Sequence, residues 1–164
     1  MPNTALDQTD RIDWIARAIQ VAPVIAAAVP RTEADRKVPP DVMSAMHEAE
    51  LFRMVIPRSV GGAEAPLLEI IQAIEVIASA DASAAWCLGQ GLGCSRSAAF
   101  LEPDIAREVF GPPDSILAWG PPAGPMKAIA VEGGYQVSGK WQFASGIMNA
   151  TWVGPNLPVF DESG

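Results

Sequence analysis

The residues best suited to chemistry lie late in the chain, in Gly133-Gly134-Tyr135-Gln136-Val137-Ser138-Gly139-Lys140-Trp141-Gln142-Phe143-Ala144-Ser145-Gly146. The glycine pair and the alternation after it predict a hairpin that leads into a strand with Trp141 and Phe143 on one face, ended by Ser145-Gly146. A flat heterocycle needs such a combination. An aromatic ring supplies a stacking surface, worth roughly 0.5–1.5 kcal/mol beyond area burial by analogy with aromatic pairs. A hydroxyl and nearby backbone donors can bond to ring heteroatoms. Paired aromatics on a strand also suit a plain hydrophobic core, and the residues alone leave both readings open.

Other chemistry-bearing residues point away from catalysis. His47 is the only histidine, and its place between Met46 and Glu48 on a predicted surface helix implies a solvated ring. Cys87 and Cys94 stand seven apart. On one helix that is two turns, roughly 10 Å, too far for a disulfide, so both read as small core residues. One histidine and two cysteines spell out no tetrahedral zinc site, and no metal is expected. Gly89-Gln90-Gly91-Leu92-Gly93-Cys94 resembles a dinucleotide fingerprint. It places Cys94 where the third glycine belongs and follows a predicted helix rather than a strand. The expected role is close helix packing, with Gly89 and Gly93 facing one neighbour. Glu48, Glu50, Glu64, Glu69 and Glu75 fit exposed positions, and no catalytic residue is assigned.

Composition narrows the class. Of 164 residues 49% are apolar, and the net charge is -8. That favours a packed core and disfavours nucleic acid as a partner. Arg31, Arg36 and Lys37 form no basic patch, because Glu33 and Asp35 interleave them. The amino terminus lacks a secretory signal. The longest apolar run, residues 21–29, is about half of a membrane span and contains Pro23. A soluble, cytoplasmic protein with no membrane partner is expected.

Helices must carry most of this chain. Ile12, Ile15, Ile19 and Ala22 predict an apolar stripe on a helix over residues 11–29, ended by Pro30. A second helix starts at Pro39-Pro40-Asp41, with Val42, Met43, Met46 and Ala49 inward. Met54-Val55-Ile56-Pro57 reads as extended, and Gly61-Gly62 as a turn. Pro66 opens a third helix whose Leu67, Ile70, Ile71, Ile74 and Ile77 face a core. Asp81 caps a fourth, over residues 82–100. A short fifth follows Glu102-Pro103-Asp104 and stops at Gly111. Strands are expected over residues 115–119, 126–131, 135–138, 151–153 and 157–160. The fold class is therefore α+β, with a helical domain at 1–113 and a partial β-domain at 114–164 whose edges stay open.

These segments resemble the acyl-CoA dehydrogenase superfamily, most closely its flavin-dependent monooxygenase-like branch. The resemblance rests on Leu51-Phe52-Arg53-Met54-Val55-Ile56-Pro57-Arg58-Ser59-Val60-Gly61-Gly62, on Ile77-Ala78-Ser79-Ala80-Asp81-Ala82-Ser83-Ala84-Ala85-Trp86, and on residues 134–146 with Trp152. It implies a helical amino-terminal domain, a middle antiparallel β-barrel and a carboxy-terminal four-helix bundle, with a flavin between barrel and bundle. On that basis Phe143 corresponds to the aromatic beside the flavin ring, with Ala144 next to it. Ser145 corresponds to the hydroxyl near the reactive flavin nitrogen. Trp119 and Gly120 correspond to the strand and loop bordering the flavin, and Trp86 to a residue lining the substrate cavity.

The resemblance further implies an oxidoreductase acting on a small-molecule substrate as a homo-oligomer, with FAD or FMN as cofactor. The family's acyl-CoA dehydrogenases carry a Thr-Glu-Pro-Gly-type loop after the first barrel strand, where this chain has Gly120-Pro121-Pro122-Ala123-Gly124-Pro125. That favours the monooxygenase-like branch. Its aromatic hydroxylases place histidines where this chain has Gly93-Cys94-Ser95 and Met148-Asn149. The expected protein is a truncated flavoprotein holding one wall of the site, with the bundle and half of the barrel absent and weak or absent flavin binding. The alternatives are an acyl-CoA dehydrogenase proper, or a non-catalytic helical interaction module.

Overall fold

The computed structural model describes residues 12–161. Five α-helices come first: α1 (Trp14–Asp35), α2 (Pro40–Glu48), α3 (Leu67–Ala80), α4 (Ala82–Ser95) and α5 (Pro103–Phe110). Five short strands follow: β1 (Leu117–Ala118), β2 (Lys127–Val131), β3 (Gly134–Ser138), β4 (Trp152–Val153) and β5 (Val159–Phe160). None of the described helices is long and apolar enough to cross a membrane.

The Asp13 carboxylate opens α1 by accepting from the Ala16 amide at 2.9 Å. The helix does not stop at Pro30 but runs through Pro23 and Pro30 to Asp35. Each proline removes one i→i−4 bond. Both are exposed, so water can satisfy the carbonyl each leaves free. The buried face is Trp14, Ala18, Val21, Ile25, Ala28 and Thr32. That corrects the stripe expected from Ile12, Ile15, Ile19 and Ala22, since Ile19 is 56% exposed. Apolar residues lie on both sides of α1, and the side carrying the small Ala18 and Ala28 is the one turned to the core.

A similar correction applies to α3, which packs along α1. Ile70, Ala73 and Ile77 are buried and Ile74 is half-buried, while Leu67 and Ile71 are exposed. In α2 Val42, Met43 and Met46 are buried as expected, while Ala49 is half-buried just past the helix end. Residues 54–56 are not extended. Leu51–Arg53 form a 3-10 turn, and Met54 keeps helical angles. Residues 63–65 then fold back: Ala63, Glu64 and Ala65 donate to the carbonyls of Arg53, Ile56 and Met54 at 2.8–3.1 Å. Gly61, at φ +78°, makes this reversal. Gly62 must lack a side chain, since a Cβ there would lie 2.0 Å from the Ile56 oxygen.

Asp81 caps α4 as expected, accepting from the Ser83 amide at 2.9 Å. The α-helix ends at Ser95, and a 3-10 turn, Arg96–Ala99, completes the segment. The glycine roles differ from expectation. A Cβ at Gly89 or Gly93 would meet nothing within 4 Å, whereas one at Gly91 would lie 3.1 Å from the Phe52 ring and 3.3 Å from Ile116. The close approach therefore uses the middle glycine, on the face α4 turns to the core. Leu88 and Leu92 share that core. Cys87 and Cys94 are unbonded thiols, half-buried and buried respectively.

One buried cation ties the helices to the strands. Arg53 donates to the carbonyls of Phe110 (2.6 Å), Pro112 (3.1 Å) and Val60 (3.0 Å). It fixes the end of α5 where the chain turns toward β1. There β1 pairs in parallel with β4, and a separate sheet has the order β3-β2-β5. The hairpin predicted at Gly133-Gly134 is present, with Val131 opposite Gly134. The two small sheets do not close into a barrel.

Candidate functional site

Strand alternation sets the first wall. Ile116 and Ala118 are buried, so Trp119, next in line, emerges 45% exposed. Thr151 and Trp152 donate to the Ile116 carbonyl at 2.9 and 3.0 Å, and Gly154 to Ala118 at 3.1 Å. These bonds hold β1 against β4 and aim the Trp119 end of the strand. Behind it, burial pushes the Cys94 thiol up, partly offset by a bond from the Trp119 backbone.

The second wall is not the strand expected from Trp141 and Phe143. Trp141 makes only an isolated bridge to Pro122. Ala123 donates to the Lys140 carbonyl at 2.7 Å and Gln142 to Pro121 at 3.1 Å. Pro121, Pro122 and Pro125 have no N–H, so a regular ladder cannot form here. The chain instead turns at Phe143, whose φ is +54°. A bulky residue in the left-handed region costs of order 1–3 kcal/mol, and such strain clusters at functional sites. Its ring is 79% exposed, so Phe143 is not a core residue. Gly120 lets the two segments touch: a Cβ there would lie 2.2 Å from the Gln142 oxygen and 2.8 Å from the Ala144 nitrogen.

Between these walls lies an open cleft of about 450 Å³, lined by Gln90, Trp119, Gly120, Pro121, Pro122, Met126, Phe143 and Asn156. The volume falls within the roughly 300–1,000 Å³ of small-molecule sites. Trp119, Gly120 and Phe143 of the expected site residues meet there. Ala144 and Ser145, next along the chain, are outside the lining. The Ser145 hydroxyl accepts from the Trp86 indole N–H at 2.9 Å. Trp86 is 60% exposed and sits one turn before Gln90 on the same side of α4.

Sequence reasoning missed Gln90, Pro121, Pro122, Met126 and Asn156 as lining residues. The i,i+4 spacing from Trp86 could have found Gln90, but Asn156 lies in a loop without a pattern. No lining residue carries a charge, so the cleft suits a neutral, flat, partly apolar group. His47 is not solvated as expected: it is half-buried, with its ring centroid 5.0 Å from that of Phe52. Burial pushes its pKa down, opposed in part by Asp114 and the Pro113 backbone. Among the described residues no group of three or more His, Cys, Asp or Glu is placed to hold a metal.

Comparison with known proteins shows the family. The acyl-CoA dehydrogenase N-terminal domain family matches residues 16–102, just over half of the chain. The chain belongs to the acyl-CoA dehydrogenase superfamily. It is 31% identical, over 138 residues, to the oxygenase component of an FADH2-dependent resorcinol hydroxylase from Rhizobium sp. (strain MTP-10005). That match covers 84% of this chain and 34% of the relative. Two solved structures share the fold. The 3-HSA hydroxylase of Rhodococcus sp. RHA1 is 28% identical with a TM-score of 0.81, covering 93% of this chain and 40% of its own. XiaF from Streptomyces sp., solved with FADH2 and glycerol, is 25% identical with a TM-score of 0.83, covering 92% and 38%. The matched relatives include flavin-dependent monooxygenases of the acyl-CoA dehydrogenase fold. This chain spans 34–40% of the three proteins' lengths.

Proposed function

We propose that this chain supplies one wall of the cofactor site of a flavin-dependent monooxygenase acting on a small molecule, with residues 1–113 as its helical domain and 114–164 as the start of its β-domain. The observation that carries the reading is the convergence of the adjacent pair Trp119 and Gly120 with Phe143, from a later segment of the chain, on one uncharged cleft. The residues fit a flavin ring. Trp119 and Phe143 present exposed aromatic surface for stacking. The amides of Gln90 and Asn156 offer both donors and acceptors for the ring's polar edge. Gly120 lets its segment touch the backbone of Gln142 and Ala144, which brings Trp119 and Phe143 to one cleft. The lining lacks cations, so the phosphates of FMN or FAD would lie outside it.

When bound, the flavin would supply the electrons and the oxygen activation that monooxygenation requires. The protein's part is to hold and orient. Phe143 is set at the cleft by its left-handed backbone, and Ser145 is held beside it by Trp86. The uncharged lining excludes charged competitors by leaving them unpaired.

The test is titration of the 164-residue chain with FAD and with FMN, read by flavin fluorescence and visible absorbance. Weak binding is expected. Phe143→Ala should weaken it about 2- to 10-fold through lost stacking of about 0.5–1.5 kcal/mol. Because the ring is 79% exposed, the same change should leave stability within about 0.5 kcal/mol. Flavin spectra unmoved by the wild-type chain at millimolar protein would refute the reading.

A further inference from the structure

The contact between Trp86 and Ser145 joins residues 59 positions apart and does little for the core. Trp86 is 60% exposed, so its ring buries little surface. The loop comes near α4 at Gly146, where an added Cβ would reach ordinary contact distance, 3.8 Å, from the Cβ and carbonyl oxygen of Cys87. The Ser145 amide bonds to the Phe143 carbonyl at 2.8 Å, and the Ile147 amide to Ala144 at 3.1 Å. With these backbone bonds made within the loop, the indole N–H acts on one thing, the Ser145 hydroxyl.

That action has a direction. An indole N–H only donates, so Ser145 Oγ must accept and gives up one lone pair. Among the described residues, no hydrogen bond of this chain takes the Ser145 proton. It therefore remains available to a ligand beside Phe143. A free serine hydroxyl rotates to suit whatever is near it, whereas one engaged by a fixed donor has fewer orientations to lose on binding.

We infer that Trp86 is a positioning residue that holds the Ser145 hydroxyl as a hydrogen-bond donor toward a ring acceptor of the flavin in the cleft. The inference rests on the flavin reading above. It gives Trp86 a role distinct from lining a substrate cavity, and it links α4 to the loop beside the cleft through a polar contact.

The full 164-residue chain, labelled with nitrogen-15, tests it in two arms. In the first, the Trp86 indole resonance is assigned with Trp86→Phe and followed in Ser145→Ala and Ser145→Thr. Ser145→Ala should move the resonance upfield and speed its hydrogen exchange, and Ser145→Thr, which keeps the hydroxyl, should restore both. A resonance indifferent to Ser145→Ala would overturn the pairing, whatever flavin does. In the second, FMN and FAD are titrated into wild type and Trp86→Phe. The variant should bind about 3- to 10-fold more weakly, as loss of one hydrogen bond predicts, and give a displaced visible flavin band at unchanged Tm. Equal affinity with an identical band would overturn the positioning role. A wild-type chain that binds no flavin while its indole still answers to Ser145→Ala would defeat the flavin reading and the inference's target, and leave the pairing standing.

Discussion

Replacing Arg53 by methionine tests how the helices hold the site. Arg53 is 6% exposed, and its guanidinium serves three carbonyls, those of Phe110, Pro112 and Val60. No carboxylate is among these partners, and burial pushes the Arg53 pKa below its ordinary value, opposed in part by the charge of Glu50. Methionine roughly keeps the volume and removes every donor. Each buried carbonyl left without a partner costs about 1–3 kcal/mol. The bonds to Phe110 and Val60 are buried and the one to Pro112 is half-buried, so a loss of about 3–5 kcal/mol is expected. That is a large share of the roughly 5–15 kcal/mol by which domains are stable. Urea unfolding followed by circular dichroism and tryptophan fluorescence would read it. With a slope of about 1–3 kcal/mol per molar, the midpoint should fall by about 2 M at unchanged slope. Arg53→Lys keeps a charge and three donors without the planar fork, and should fall between. A methionine variant within about 1 kcal/mol of wild type would refute the view that Arg53 clamps α5 to the approach to β1.

Two further outcomes follow from particular contacts. Burial lowers the His47 pKa from its ordinary 6.5, so the fold prefers the neutral ring and the unfolded chain takes up the proton first as pH falls. Stability should decline below about pH 6.5, level off once folded His47 also protonates, and decline less in His47→Gln, as read by Tm against pH. On α4, Gly89→Ala and Gly93→Ala meet open space and should each stabilise by about 0.5–1 kcal/mol. Gly91→Val drives into Phe52 and Ile116 and should destabilise by about 1–3 kcal/mol. Equal effects at all three positions in thermal unfolding would contradict the packing described.

By itself the sequence determined whatever depends on neighbours along the chain. The Asp81 cap, the proline-led starts of α2 and α5, the Gly133-Gly134 turn and the α-then-β order are all local chemistry. Families preserve such signals in order, which is why the resemblance was legible. The tertiary structure decided what depends on partners distant in sequence. Which side of α1 faces inward could not be read where both sides are apolar, and the backbone approach of α3 selected the one bearing Ala18 and Ala28. Gly91 rather than Gly89 or Gly93 makes the close contact, because Phe52 and Ile116 lie on that side alone. Phe143 reads as a strand residue by alternation. It becomes an exposed, left-handed turn residue because Pro121 and Pro122, some 20 positions earlier in the chain, leave it no ladder to join. The pairing of Trp86 with Ser145 has no sequence signature. It exists only because α4 and the loop after Phe143 are folded against each other.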